Sequence, residues 1–377
     1  MRFLHTSDWQ IGKGFRFADD ETLGVLQEQR LEAIRRIGRL AREQSVPLVL
    51  VAGDVWDMAQ PAERTLRQPI ECMRQFGEID WHLIPGNHDP HLPGGLWDRQ
   101  RRHGLPPNIH LHTTAAPVSL GADPSGREAW LLPAVLDRRH ALGDPTAALD
   151  SMPTPDGALR IGLAHGSARG FGTDPDEGAN RIAADRAQRS GLDYLALGDW
   201  HGATPAGPRS WYSGTPETDG FDRGGDGGGS VLLVRARSGA DPVVASHRVG
   251  RFRWHRDAAT LFSADEIDAL DHRLRDLAGE DLGDALIWLR VAGALSADDR
   301  LRFEQRIRDG VGSALRALRI DDSALEASLG DADLGVLGSG ALRDAAEALQ
   351  IRAAAADRIA AAALQRLLLL ARQESGA

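Results

Sequence analysis

The sequence predicts a layered α/β protein with a second, smaller α/β unit and a helical C-terminal segment. Three observations carry that prediction. Across the first 250 residues, short apolar runs of strand type alternate with turns rich in Gly, Asp and Pro, and helical patterns lie between some of them. Around Arg253 to Ser263 the pattern changes to a helix–strand–helix succession, and from Gly340 onward Leu and Ala recur four and three residues apart. A length of 377 residues suits two domains or slightly more.

Taken in order, the first apolar run is Phe3 to Ser7, and helical patterns cover Leu26 to Gln44 and Ala62 to Phe76. Further strand-like runs are Pro47 to Val51, His82 to Pro85, Leu159 to Ala164 and Tyr194 to Leu197. The tract Gly224-Gly225-Asp226-Gly227-Gly228-Gly229, between strand candidates at 211–212 and 231–234, reads as a flexible loop. A Ser263-x-x-Glu266 capping box starts a helix that leads to a strand at Ala285 to Val291. A helix from about Ala297 to Leu318 and a strand near Arg319 complete that unit. The last segment reads as a helix with one apolar seam: Leu342, Ala346, Leu349, Ala353, Ala356, Ala360, Ala363, Leu367 and Leu370. Such a seam fits docking on its own domain or on a partner's helices. The resulting division is residues 1–252, 253–335 and 336–377.

Composition sets the outer limits. Hydrophobic content of 42% with 26% charged residues is that of a globular chain, not a disordered one. A single cysteine, Cys72, excludes an intramolecular disulfide framework and a Cys-rich zinc site, and suits a reducing compartment. The N-terminus lacks a signal-peptide core and the apolar stretch Ile359 to Ala371 is too short to span a bilayer, so a cytoplasmic protein without membrane attachment is expected. The net charge of −10 argues against a protein that coats nucleic acid by itself. Lys13 is the only lysine, which reads as a compositional bias toward arginine.

Five apolar runs end in metal-binding residue types. They lead into Asp8-Trp9-Gln10, Gly53-Asp54-Val55-Trp56-Asp57, Gly86-Asn87-His88-Asp89, His165-Gly166 and Gly198-Asp199-Trp200-His201. Five in order imply strands whose carboxyl ends converge on one edge, where open α/β sheets hold their sites. Oxygen and imidazole donors without thiolate suit Mn²⁺, Mg²⁺, Fe²⁺ or Zn²⁺, and the oxygen-rich share favours the harder ions.

This series resembles the calcineurin-like metallophosphoesterase superfamily. The flanks, Leu4-His5-Thr6-Ser7-Asp8-Trp9-Gln10-Ile11-Gly12 and Tyr212-Ser213-Gly214-Thr215-Pro216, resemble the DNA double-strand-break repair exonucleases that pair with an SMC-like ATPase. The resemblance implies an α/β/β/α sandwich, a small α/β cap and C-terminal helices. It implies two divalent ions, Mn²⁺ foremost and Mg²⁺ as the alternative. Asp8, Gln10, Asp54 and His201 would hold one; Asp54 as the bridge, Asn87, His165 and Asp199 would hold the other. It also implies in-line attack on phosphorus by a bridging hydroxide, with His88 stabilising or protonating the leaving oxygen. DNA, an SMC-like ATPase subunit and a second copy of the chain are the implied partners.

Two positions depart from the family pattern. Gln10 stands where the first motif usually has His, and Asp199 where the last motif usually has its first His. The ligand set becomes richer in oxygen and carries three carboxylates, which favours Mn²⁺ or Mg²⁺. Around the motifs, Asp57 and Asp89 read as turn formers and hydrogen bonders, His5 and His82 as buried strand histidines, and Cys72 as core. Trp56 reads as packing, and Trp9 and Trp200 as packing or base stacking. Arg35, Arg36, Arg39 and Arg42 read as a solvated face, and Arg99, Arg101 and Arg102 as candidates for phosphate contact. The function expected is a metal-dependent DNA exonuclease and endonuclease. A small-molecule phosphodiesterase or nucleotidase, and a catalytically weak scaffold subunit, are the alternatives.

Overall fold

A computed structural model describes the chain apart from residues 124, 142, 169–178, 222–227, 329–336, 338, 356 and 376–377. Most of the Gly-rich tract, Ala356 of the seam and the expected boundary at 335/336 lie outside the described residues. The chain forms two compact units, Met1–Phe252 and Arg253–Ala377.

Among the described residues, the first unit holds fourteen strands in chain order. They are β1 (Arg2–Thr6), β2 (Leu48–Val51), β3 (Asp80–Leu83), β4 (Ile109–Leu111), β5 (Val118–Ala122), β6 (Glu128–Pro133) and β7 (Leu159–His165). Then follow β8 (Ser167–Ala168), β9 (Arg181–Ile182), β10 (Tyr194–Gly198), β11 (Thr204–Gly207), β12 (Ser210–Tyr212), β13 (Ser230–Arg235) and β14 (Val243–Arg248). Twelve of them make two six-stranded sheets, β14-β13-β1-β2-β3-β4 and β11-β12-β10-β7-β6-β5. The five motif-bearing runs are β1, β2 and β3 of one sheet and β7 and β10 of the other. Two sheets, where the strand pattern alone suggested one edge, therefore supply the carboxyl ends, in keeping with an α/β sandwich.

Central strands β1 and β2 pair in parallel, and β2, Leu48–Val51, reads as an unbroken apolar run because both of its faces are covered. Phe3, Leu4, Val49 and Val51 of the first sheet share a core with Leu131, Ile161, Leu163 and Tyr194 of the second. His5 fastens the sheets together: its Nε2–H donates to Leu197 O at 3.2 Å, and its Nδ1, 2.9 Å away, accepts from the Tyr194 hydroxyl. Helices α1 (Asp20–Glu43), α2 (Glu63–Arg74) and α3 (Leu96–Arg102) contribute Ile34, Ile37, Leu66, Ile70 and Trp97 to the same core. Helix α1 starts six residues before the periodic stretch because Asp19 caps it, accepting from Thr22 N at 2.8 Å, with Asp20 and Glu21 in the first turn.

The second unit is a parallel three-stranded sheet of β15 (Arg253–Leu261), β16 (Ala285–Leu295) and β17 (Ala317–Ala327), in that order. Helix Ala264–Ala278 follows Ser263, whose N–H donates to Glu266 Oε2 at 3.1 Å. Its Ile267, Leu270 and Leu274 cover the sheet together with Phe303, Ile307 and Val311. The C-terminal segment is two helices, Ala341–Ala354 and Arg358–Ser375, where the seam suggested one. Asp357 makes the break: its carboxylate accepts from Ile359 N and Ala360 N at 3.0 Å and from Arg352 Nη2 at 2.6 Å. Ala346, Leu364 and Leu368 gather on Ala297 and Leu337, whereas Leu342, Ile351, Ile359 and Leu370 are exposed. No helix among the described residues is long and apolar enough to cross a membrane.

Candidate metal centre

The loops after β1, β2, β3, β7 and β10 meet at the carboxyl ends of their strands. Asp8 N donates to Gly53 O at 3.1 Å and Gln10 N to Asp54 O at 2.9 Å, so the first two loops run side by side. His165 and Gly198 are partners in the β7–β10 ladder, which sets the fourth and fifth motifs together. Four motif residues carry a positive φ that disfavours a side chain: Asp8 at 53°, Gln10 at 45°, Asp54 at 54° and Asp199 at 109°. Strain concentrated on potential ligands is the signature of a functional site held open by its scaffold. Two glycines allow the approach. A Cβ on Gly86 would sit 2.1 Å from Asp54 Oδ1, and one on Gly198 would sit 2.0 Å from Ala52 O.

One ligand atom each from Asp8, Asp54 and His165 lies within 4.8 Å of the other two, and all three residues are buried. His165 Nδ1–H donates to Ala52 O at 2.8 Å, which leaves Nε2 facing Asp54 Oδ1 at 3.5 Å and Asp199 Oδ1 at 3.8 Å. Asn87 Nδ2 donates to the same Asp199 oxygen at 3.1 Å. His165 Nε2 and Asn87 Oδ1 are both buried without a hydrogen-bond partner. Burial drives the His165 pKa down, but the carboxylates of Asp54, Asp8 and Asp199 outweigh it and lift it to about 9. Burial also raises Asp8 and Asp199 above the usual carboxylate range. Unpartnered buried polar atoms beside buried carboxylates fit a divalent cation, which would take the place of the His165 proton and be held by Asp54, Asn87, His165 and Asp199 with Asp8 adjacent.

His88 sits beside this cluster. Its backbone N–H donates to Asp54 Oδ1 at 2.9 Å, and its Nδ1 lies 3.2 Å from Asp57 O and 3.4 Å from Asp57 Oδ1. Hydrogen bonding to Asp57 and the charge of Asp54 hold its pKa up at about 9 against the effect of burial. The imidazolium is therefore the neutral-pH form. Asp89 is fully buried and accepts from Gly86 N at 2.6 Å and Trp56 N at 3.1 Å, tying the second loop to the third.

Gln10 reaches the site with its amide already engaged. Lys13 Nζ donates to Gln10 Oε1 at 2.6 Å, and Gln10 Nε2 faces His201 Nε2 at 3.2 Å. The carbonyl oxygen expected to face an ion thus faces an ammonium. His201 Nδ1 lies 3.0 Å from Asp219 Oδ1. The three arginines follow Asn87 and His88 in sequence, but two of them are tied to the scaffold. Arg99 pairs with Glu63 at 2.5 Å and donates to Pro61 O at 3.3 Å, Arg101 donates to Leu111 O at 2.9 Å, and Arg102 is exposed at the end of α3. Arg36, expected on a solvated face, pairs with Glu217 at 2.8 Å. Lys13, Arg30, Glu217 and Asp219 are the residues that sequence reasoning missed. The signal available was Lys13 itself, a lone lysine three residues after a variant motif position.

The family model described as calcineurin-like phosphoesterase matches residues 1–219. The D component of nuclease SbcCD from Bacillus subtilis (strain 168) is 25% identical over 272 residues, 64% of this chain and 68% of that protein. Among solved structures, TT1561 of Thermus thermophilus is 13% identical with a TM-score of 0.40, covering 66% of this chain and 98% of its own. GAP50 of Plasmodium is 12% identical with a TM-score of 0.41, covering 66% and 88%.

Proposed function

The chain belongs to the calcineurin-like phosphoesterase family, and from that premise we propose that it is a metal-dependent DNA exonuclease and endonuclease acting in repair with an SMC-like ATPase. The observation that carries the hydrolytic part is the convergence of Asp8, Asp54 and His165, with His165 Nε2 and Asn87 Oδ1 lacking a hydrogen-bond partner. Asp54, Asn87, His165 and Asp199 would hold one ion, and Asp8, Gln10, Asp54 and His201 a second. The oxygen-rich donors favour Mn²⁺, with Mg²⁺ next. Divalent ions there would neutralise the phosphodiester and lower the pKa of attacking water.

The chain's own groups do the rest. Asp57 keeps His88 protonated and fixes its ring, so the imidazolium can donate to the leaving oxygen as the P–O bond breaks. Trp200, 41% exposed between Asp199 and His201, offers a surface at the mouth of the site for a base or sugar. Support for DNA as the substrate comes from the Ser7-Asp8-Trp9 and Tyr212-Ser213-Gly214 flanks and from the 25% identity to a nuclease component. Exposed Leu342, Ile351, Ile359 and Leu370 on the C-terminal helices support a helical partner. Dimerisation rests on the resemblance.

The test is cleavage of linear duplex DNA and of a small phosphodiester in Mn²⁺, Mg²⁺ or Zn²⁺. Wild type is expected to degrade DNA in Mn²⁺, and His88→Ala to lose about 10²–10⁴-fold in rate with Mn²⁺ binding retained. Turnover of the small ester alone would replace DNA with a small-molecule substrate. No turnover of either would leave a scaffold.

A further inference from the structure

The chain's only lysine closes a ring with three other side chains of the site. Lys13 Nζ lies 2.6 Å from Gln10 Oε1 and 2.9 Å from Asp219 Oδ2; Gln10 Nε2 lies 3.2 Å from His201 Nε2; His201 Nδ1 lies 3.0 Å from Asp219 Oδ1. An ammonium only donates, so Gln10 must turn its oxygen to Lys13 and its NH₂ to His201. His201 Nε2 then accepts, and Nδ1–H donates to Asp219. Arg30, fully buried, adds a second cation 3.4 Å from Asp219 Oδ2 and donates to Glu217 O at 3.0 Å, which holds the carboxylate in place. Lys13 is itself held by backbone bonds, its N–H to Gln10 O at 3.1 Å and its carbonyl from Gln27 Nε2 at 3.1 Å.

The two halves of the centre are therefore unequal. On the Asp54–Asn87–His165–Asp199 side, two buried polar atoms, His165 Nε2 and Asn87 Oδ1, have no hydrogen-bond partner. On the Gln10–His201 side, both donor groups are satisfied by Lys13, by Asp219 and by each other. We infer that Lys13 is the resident cation of the Gln10 side, so that divalent ions bind in sequence: first at Asp54–Asn87–His165–Asp199, and at Gln10–His201 only when Lys13 releases the amide. This deepens the metallohydrolase proposal and rests on it. An imidazole in place of Gln10 has no carbonyl for the ammonium to hold, which is why the lysine and the glutamine act together. Lys13 is a positioning residue: it acts through Gln10 and Asp219 and not on the phosphate.

The test needs no substrate. Mn²⁺ binding to the full chain, followed by calorimetry and by the EPR signal of free Mn²⁺, is expected to show one tight site and a second at least about tenfold weaker, since one neighbouring charge shifts binding by that order. Lys13→Met should tighten the second site and shrink the gap by about tenfold. Gln10→His should do the same with Lys13 intact, and Lys13→Arg, which keeps the charge, should preserve the gap. Circular dichroism melts of each variant separate misfolding from lost discrimination, and Gln10→His remains informative if Lys13→Met fails to fold. Two equal Mn²⁺ sites in wild type, or a gap unchanged in both Lys13→Met and Gln10→His, would overturn the inference and leave the metallohydrolase proposal standing. No Mn²⁺ binding by wild type would overturn both.

Discussion

Gly86 shows how little room the centre has. Its missing side chain is what lets Asp54 Oδ1 approach the third loop, where it accepts from His88 N at 2.9 Å. Gly86→Ala is expected to cost about 1–3 kcal/mol, because the methyl group must displace the Asp54 carboxylate or the loop. Urea unfolding measures the loss, and Mn²⁺ binding should weaken with it because Asp54 has moved. Gly77→Ala is the matched control: its Cβ would meet nothing within 4 Å, so both measurements should stay near wild type. Asp57 and Asp89 belong to this scale too. Their carboxylates orient His88 and the Gly86 loop, roles that a motif spelled in one dimension assigns only as hydrogen bonding.

At the scale of elements, apolar periodicity located the strands that carry the motifs, because buried parallel strands are largely apolar runs with polar ends. It located the start of α1 less well, because its first turn is carried by an Asp19 cap and acidic residues, which have no apolar period. The C-terminal seam is the clearest departure. A spacing of four and three continues in register across Asp357, yet the chain turns there, since the Asp357 carboxylate binds the backbone N–H groups that open the next helix. The buried set then becomes Ala346, Ala360, Leu364 and Leu368, while Leu342 and Leu370 of the seam stay exposed. Leu364→Ala should therefore destabilise the chain by about 2–5 kcal/mol, whereas Ile351→Ser should change it by no more than about 0.5 kcal/mol. Equal losses in urea melts would place Ile351 in a core.

For the whole molecule, buried neutral histidines set the response to acid. Burial pushes His5 to about 3. Burial, with the neighbouring His112 and His110, pushes His82 to about 2; burial, with His110 and Arg101, pushes His112 to about 4. The folded state refuses protons that the unfolded chain accepts near pH 6.5, so stability falls as pH drops below about 6.5, and each histidine adds up to about 1.4 kcal/mol per pH unit. Urea midpoints from pH 7 to pH 4 should show this slope, and His5→Gln should make it shallower by one histidine's share. His88 acts in the opposite direction, and so does His165 as long as no metal is bound: their pKa values are raised to about 9, so the stability they add is complete below about 6.5 and is lost as pH rises through 9.

The ordered motifs by themselves determined the family, the α/β class and which residue types would meet, because a donor set of Asp, Asn and His at strand ends has few other uses. The net charge of −10 did not exclude an anionic substrate, since Asp8, Asp54 and Asp199 are concentrated where cations would cancel them. Only the tertiary structure decided that the strand ends come from two sheets, that Arg99 and Arg101 serve the scaffold, and that Lys13 and Asp219, 206 residues apart, flank Gln10 and His201. The physical reason is range. Strand periodicity and motif spacing are local properties of the chain, whereas the partner that satisfies a buried amide is chosen by whichever distant segment the two sheets bring within hydrogen-bond reach.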